Sequence, residues 1–311
     1  MEARGCCIDG LAIAMEFAFM AARLLTIDTI MPRKFFLTHD VPFERSRIMK
    51  NCLDKVKTVA LYTLFILGFS VTMASAHDMW IEVRDYTPLT GEEVTMTLGH
   101  DHYLPAREFL SQDYLDEIYV LDPNAKRIDV KRYSDVEYKV DAKLEPAGSY
   151  LVVAAQKGRF WTKTTEGYQS GKSKKGLKDV ISCTYSAKFG KAIVNMGKGG
   201  KGVISKPVGH ELEIIPLKDP AALRVGDPLP VKILFREKPV KNHQVLATYV
   251  GFSRDKNTFA YATKTNAQGV AVIRMLSAGA WLVATHQKDS YPDLSECDTY
   301  SLAASLTFEI Q

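Results

Sequence analysis

The sequence predicts a mainly β protein made of two β-sandwich units, the C-terminal one immunoglobulin-like or prealbumin-like. Three observations lead to this prediction. Apolar and polar residues alternate through most of the chain, helical periodicity is weak, and Gly, Pro, Asn and Asp clusters recur between the alternating runs. Short strands separated by turn signals about every 8–12 residues are typical of sandwiches rather than of α/β folds.

Composition narrows the class of protein without naming a function. The 311 residues are 24% charged and 46% hydrophobic, which is ordinary for a globular chain. The net charge of +4 is small for this length, and no strongly basic face is evident. We therefore expect no nucleic-acid partner, because nucleic-acid binding normally needs concentrated positive charge.

The N-terminal region reads as targeting sequence rather than folded protein. Residues 49–76 combine a lysine-containing start, an apolar run over 58–73 and the small residues Ala74-Ser75-Ala76. The apolar run is shorter than the ~20 residues of a membrane span. These features predict a signal peptide that is removed, no stable transmembrane anchor and a periplasmic, exported protein. Residues 1–48 are either an over-extended gene start or a long leader.

The first predicted unit, 77–206, begins at the expected cleavage site. Its strand-like runs alternate apolar with polar residues and are separated by Pro- and Gly-containing turns. These runs are 79–83, 94–99, 117–130, 138–144 and 149–156. Two short segments, Ala106 to Asp116 and Ser182 to Asn195, are the best helical candidates. The glycine- and lysine-rich stretches 171–178 and 197–203 do not match a phosphate-binding loop, so we interpret them as solvated loops.

The second predicted unit, 207–311, continues the β pattern. Pro220, Pro228 and Pro230 mark turns between its first short strands. The segment Thr263 to Leu276, a polar turn followed by alternating apolar residues, is typical of the prealbumin-like and immunoglobulin-like modules of exported proteins. About 100 residues is a suitable length for one such module.

Two cysteines, Cys183 and Cys297, fall within the predicted exported chain. An oxidising compartment would allow them to form a disulfide, but their sequence positions do not establish that they meet. Because neither belongs to a CxxC pair, a thiolate metal centre or a redox motif is not expected.

Four histidines are candidate metal ligands. His100 and His102 stand two residues apart at the end of an alternating run, so they would share one face of a strand. His77 would become the first residue after cleavage and would offer an α-amine beside its imidazole. His286 closes another alternating run in the second unit, while His210 and His243 look like ordinary polar residues of a β protein.

Nitrogen-rich donors suit Ni, Co, Cu or Zn rather than Mg or Ca. Asp78 and Asp101 are candidates for hydrogen-bond partners that orient the imidazoles. No nucleophile motif such as GxSxG occurs, so we do not expect a hydrolase, and an enzyme of any kind is not the first expectation.

Several segments together resemble one known family: HDMWIEV after the signal peptide, LGHDHYLP, GHELEIIPLKDPAALRVGDPLPVKILFREKPV, AGAWLVATHQ and the closing SLTFEI. This family is the largely uncharacterised periplasmic component of nickel/cobalt ABC transport systems. The resemblance spans His77 to Ile310. It implies a β-rich periplasmic protein that binds Ni or Co and serves an inner-membrane metal transporter, with motif histidines at His77, His100 and His286.

Two other functions stay open at this point. An N-terminal histidine with a second imidazole on a β-sandwich also resembles the copper histidine brace of polysaccharide monooxygenases, which would make the protein an oxidoreductase. Alternatively, the chain is a structural adhesion or scaffold module whose histidines are incidental, since a fold does not imply a function.

Overall fold

The computed structural model describes residues 77–197, 199–200 and 202–311. The predicted leader 1–48 and signal peptide 49–76 lie outside the described residues. The described residues belong to one compact unit. No helix of the described part is long and apolar enough to span a bilayer.

Twelve strands form one large sheet: β1 Asp78–Val83, β2 Thr95–Asp101, β3 Leu115–Leu121, β4 Arg127–Arg132, β5 Glu137–Val140, β6 Gly148–Thr164, β7 Gly167–Ser170, β8 Val180–Met196, β12 Gln244–Tyr249, β13 Tyr261–Lys264, β15 Gly279–Ser290 and β16 Thr299–Ile310. Their order in the sheet is β1-β2-β5-β4-β3-β6-β8-β16-β15-β12-β13, with β7 paired to β6.

A second, four-stranded sheet has β10 at its centre, paired to β9, β11 and β14. Its strands are β9 Leu212–Pro216, β10 Pro228–Phe235, β11 Lys238–Pro239 and β14 Val270–Arg274. Short 3₁₀ turns cover Gln112–Tyr114, Val203–Ser205 and Pro220–Ala222.

Two hydrophobic cores lie on opposite faces of the central strands β6 and β8. Leu151 and Val153 of β6 contribute to a core shared with the four-stranded sheet. Tyr150 and Val152, pointing the other way, contribute to a core shared with β1, β2 and β5. Both faces of the strand are buried, which explains the unbroken apolar run SYLVVAA in β6. The predicted mainly β class with packed sheets is confirmed.

The two predicted units, 77–206 and 207–311, are joined through the large sheet. Strand β16 from the end of the chain runs parallel to β8, from Thr299 beside Thr184 to Thr307 beside Ala192. This pairing links residues more than a hundred positions apart, and alternation within either segment does not reveal it. The sequence boundary at 206/207 is therefore not a boundary between separate sheets.

The two helical candidates are wrong. Ser182 to Asn195 lies inside strand β8, and Ala106 to Asp116 contains an extended segment and the turn Gln112–Tyr114. Strand β8 has neighbours on both sides, β6 and β16, which satisfy its backbone hydrogen bonds along most of its length. Tertiary pairing of this kind overrides weak local preference.

Cys183 and Cys297 form a disulfide, with Cα atoms 5.0 Å apart. The bond connects β8 to the loop that precedes β16. Around it, Asp298 accepts a hydrogen bond from the Cys183 backbone N–H at 2.7 Å and pairs with Lys174 at 2.5 Å. The disulfide and this ion pair hold β8 and β16 together where their ladder begins, next to Thr184 and Thr299.

A buried ion pair lies on the core between the two sheets. Lys191 of β8 donates to Glu213 of β9 at 2.9 Å, and their side chains are 1% and 2% exposed. Glu213 also accepts the Val208 N–H at 2.8 Å. His210 lies nearby and packs on the Phe189 ring at 4.8 Å.

The burial of His210 makes the free energy of unfolding depend on pH. Burial, and then the charge of Lys191, lower the pKa of His210 from 6.5 to about 3. As the pH falls, the imidazole of His210 is therefore protonated in the unfolded chain before it is protonated in the folded protein. The free energy of unfolding is unaffected by this group above pH 6.5 and decreases as the pH falls from 6.5 toward about 3. One such group changes the free energy of unfolding by up to about 1.4 kcal/mol per pH unit.

We expect the His210→Gln variant to show a shallower loss of stability than the unsubstituted protein between pH 6.5 and 5. Urea unfolding at several pH values measures both slopes, and this window lies above the usual titration of carboxylates. Equal slopes would contradict the assignment of the acid sensitivity to His210.

Candidate metal centre

Strand β1 is held firmly, and this fixes where His77 lies. Met79 and Ile81 are buried, and their carbonyls accept hydrogen bonds from Ser305 at 2.7 Å and Thr307 at 2.6 Å on β16. The β1–β2 ladder places Met79 opposite His100. The residue just before β1 therefore lies beside the end of β2.

Three of the four predicted histidines meet at this end of the sheet. The ring of His77 stacks on that of His100 with centroids 5.1 Å apart, and it lies 4.3 Å from the ring of His102. His77 also approaches Glu108, with Nε2 and Oε2 3.5 Å apart. The i, i+2 pair at the end of β2, His100 on the strand and His102 just after it, forms one cluster with the first residue of the predicted mature chain.

Asp101 organises the loop that carries His102. The residue is 3% exposed, and its carboxylate accepts hydrogen bonds from the backbone N–H groups of His102 at 2.6 Å, Arg107 at 2.6 Å and Glu108 at 3.2 Å. On the other side of the loop, the Asn257 N–H donates to the His102 carbonyl at 3.1 Å, and the Asn257 amide oxygen lies 3.0 Å from His102 Nδ1. Asp101 thus fixes the backbone, and Asn257 orients the ring.

Gly99 allows this end of β2 to pack tightly. A Cβ atom at this position would lie 2.8 Å from both the Trp80 ring and the Ala106 side chain. Only a residue without a side chain fits there while the loop crosses Trp80. The glycine of the GHDH motif therefore serves packing directly behind the histidines.

Lys188 also reaches the cluster, and the sequence pattern did not indicate it. Its side chain rises from β8, the residue is 6% exposed, and its Nζ lies 2.7 Å from His100 Nε2. Burial lowers the pKa of Lys188 to about 8, against the opposing charge of Asp78. Burial, and next the charge of Lys188, lower the pKa of His100 to about 3.

His286 is paired with Asp78 rather than with another imidazole. Its Nε2 lies 2.7 Å from Asp78 Oδ1, and its side chain is 46% exposed. Partial burial acts to lower the pKa of His286, but the hydrogen bond and charge of Asp78 outweigh it and leave the pKa raised. His77 behaves oppositely, since burial and the neighbouring His102 lower its pKa.

The imidazole nitrogens of His77, His100 and His102 are suitable ligands for a transition metal, but the three rings are not oriented toward a common point. His77 and His100 have lowered pKa values, so they are neutral and able to bind metal at pH 7. Yet the described residues contain no group of three or more His, Cys, Asp or Glu side chains arranged to hold an ion. The His77 and His100 ring planes are 18° apart, so the stacked rings do not converge on one point.

The predicted ligand set is therefore divided. His77, His100 and His102 are together, whereas His286 joins them through Asp78. Glu108, Asn257 and Lys188 are the neighbours that sequence reasoning missed. Lys188 stands in the segment AKFGKAIV of β8, where nothing in the local pattern connects it to a histidine 88 residues earlier.

The sequence profile of one protein family matches residues 74–289. The chain belongs to this family, described as a domain of unknown function, DUF4198. The matched region contains all four candidate histidines and Lys188. Its description assigns no activity, so membership supports neither a nickel nor a cobalt function. No curated protein matches the chain.

Three solved structures show some similarity to the chain. The D0-D1 domain of intimin is 13% identical, with 75% of this chain and 98% of that chain covered and a TM-score of 0.20. The D00-D0 domain of intimin is also 13% identical, covering 74% and 98%, with a TM-score of 0.18. The ectodomain of mouse nectin-like molecule 4 is 9% identical, covering 69% and 93%, with a TM-score of 0.15. Scores this low establish no shared fold.

Proposed function

We propose that this protein is an exported binding protein for a divalent transition metal, Ni²⁺ or Co²⁺ first, and that it passes the metal to an inner-membrane transporter. The observation that carries the proposal is the contact of the three imidazoles of His77, His100 and His102 at one end of the sheet. The resemblance to nickel/cobalt transport components supports the choice of metal and partner. Cu²⁺ and Zn²⁺ bind the same kind of donors.

Each residue has a distinct part in this proposal. His77, His100 and His102 supply ring nitrogens, and cleavage after Ala76 adds the α-amine of His77. Asp78 orients His286, which completes the site if the ring turns away from the carboxylate. Because the stacked rings must rotate before they converge, binding is expected to change the side-chain arrangement. His77 lies just before β1 with 42% of its side chain exposed, so it has room to move.

Titration calorimetry with Ni²⁺ tests the proposal on protein that begins at His77. We expect one site, and we expect His102→Ala to weaken binding by more than about tenfold, since even partners outside the ligand shell change affinity by about 10–100-fold. His210→Gln is the matched control, because His210 packs on Phe189 and lies beside Lys191 in the core between the two sheets. Unchanged affinity in His102→Ala, or no binding by the unsubstituted protein, would contradict the proposal.

Protein that retains Ala76 provides a second comparison. The extra residue places the His77 nitrogen in a peptide bond, so weaker Ni²⁺ binding is expected if the amine is a ligand. A bound metal must also raise the melting temperature, by an amount that corresponds to about 2.7 kcal/mol at a metal concentration a hundred times the Kd.

The two alternative functions, a copper histidine brace and a scaffold module, predict different experimental results. A copper histidine brace is favoured by the closeness of His77 to His100, and it predicts oxygen consumption by Cu-loaded protein with a reductant and a polysaccharide. A scaffold module predicts no metal-dependent change in melting temperature. The β architecture is compatible with all three functions.

A further inference from the structure

Lys188 is a buried amine for which the proposed metal site has no use. It lies at the middle of the large sheet, with Gln156 of β6 on one side and Ala303 of β16 on the other. An amine is rarely buried without a specific partner, because removing its charge from water is costly. The hydrogen-bond partner that the structure gives its Nζ is His100 Nε2, at 2.7 Å.

This contact determines which nitrogen of His100 is occupied. An ammonium group can only donate hydrogen bonds, so His100 Nε2 accepts through its lone pair and the ring proton lies on Nδ1. A metal ion binds an imidazole through the same kind of lone pair. Lys188 and a metal therefore compete for one position on one nitrogen.

We propose that Lys188 is a built-in competitor at the metal site, whose ammonium group occupies the His100 Nε2 position in the metal-free protein and must leave when the metal enters. This inference rests on the proposed function.

Asp78 is the carboxylate that would receive the displaced ammonium. It already attracts Lys188 electrostatically, and its side chain is 19% exposed and hydrogen-bonded to His286. Movement of Lys188 toward Asp78 weakens the Asp78–His286 contact and frees the His286 ring. Metal entry at His100 is thereby linked to the availability of His286, the hydrogen-bond partner of Asp78.

The competitor has a consequence for a carrier. A positive group next to the site opposes a divalent cation and lowers its affinity, and it fills the position again when the metal leaves. A lower affinity suits a protein that must release its metal to a transporter, because a metal that is bound too tightly would not be transferred.

The test compares Ni²⁺ affinity in three proteins that begin at His77: unsubstituted, Lys188→Met and Lys188→Arg. Methionine has a similar length and no charge, so we expect Lys188→Met to bind Ni²⁺ at least tenfold more tightly. Arginine keeps the charge, so Lys188→Arg should bind no more tightly than the unsubstituted protein. Thermal melting of each protein in EDTA verifies that all three fold.

The outcomes separate this inference from the proposed function. Binding by the unsubstituted protein with equal or weaker binding by Lys188→Met overturns the role of Lys188 and leaves the metal function standing. An equal gain in Lys188→Arg also overturns it, because packing rather than charge would then be responsible. Binding by Lys188→Met alone supports the role of Lys188 but contradicts the proposed metal function of the unsubstituted protein, and no binding by any of the three overturns both.

Discussion

The Glu213→Gln variant is expected to lose about 3–5 kcal/mol of unfolding free energy, the usual result of removing one partner from a buried ion pair. Lys191 is 1% exposed and has Glu213 at 2.9 Å as its neutralising partner. Burial lowers the pKa of Lys191, and the carboxylate of Glu213 opposes that effect. Without the carboxylate, the amine must either stay charged in the core or lose its proton, and both cost stability.

Urea unfolding of the variant measures this loss. The matched control is Asp141→Asn, which breaks the exposed pair between Lys131 and Asp141, whose side chains are 70% and 43% exposed. Exposed pairs contribute about 0–1 kcal/mol, so this control should hardly change. The double variant Lys191→Met with Glu213→Leu should recover most of the loss, because neither charge remains buried. A Glu213→Gln variant as stable as the control would disprove the importance of the pair.

Replacing both Cys183 and Cys297 by alanine is expected to lower stability by about 2–5 kcal/mol. The disulfide links residues 114 positions apart, so its loss greatly enlarges the set of conformations open to the unfolded chain. Both cysteines are almost completely buried, at 1% and 0% exposure. The bond also secures the loop that leads into β16, the strand that joins the two predicted units.

Guanidinium unfolding with and without dithiothreitol gives an internal control for this prediction. Reductant should destabilise the unsubstituted protein and leave the alanine double variant unaffected. If the double variant unfolds at the same midpoint as the oxidised protein, the disulfide contributes nothing and the estimate is wrong. The proposed Ni²⁺ binding should be the same in the variant as in the unsubstituted protein, because the disulfide lies in β8 and the loop before β16, away from the end of β2.

Part of the candidate site could be predicted from the sequence, because the positions of His77, His100 and His102 follow from short local patterns. His100 and His102 share a strand face through the two-residue period, and His77 precedes a run anchored by Trp80. The structure brings these three together. His286 comes from β15, which pairs with β12 and β16, and its hydrogen bond to Asp78 depends on how β1 packs against this part of the sheet.

Lys188 shows why the rest of the site was out of reach. Its contact with His100 joins β8 to β2, which are not neighbours in the sheet but face each other across a core. A lysine in an alternating strand normally faces solvent, and no residue near it in sequence marks the exception. Only the packing of β1 and β2 over the centre of the sheet makes this position buried.

The amino-acid pattern is sufficient for the β class, the positions of most strands and the nearness of His100 to His102, because alternation and turn chemistry act over a few residues. The parallel pairing of β8 with β16, the single large sheet and the partners of Lys188 and His286 depend on tertiary structure. These features are set by contacts across 80 to more than 200 residues. Such contacts form where two surfaces bury each other, and that depends on both surfaces at once.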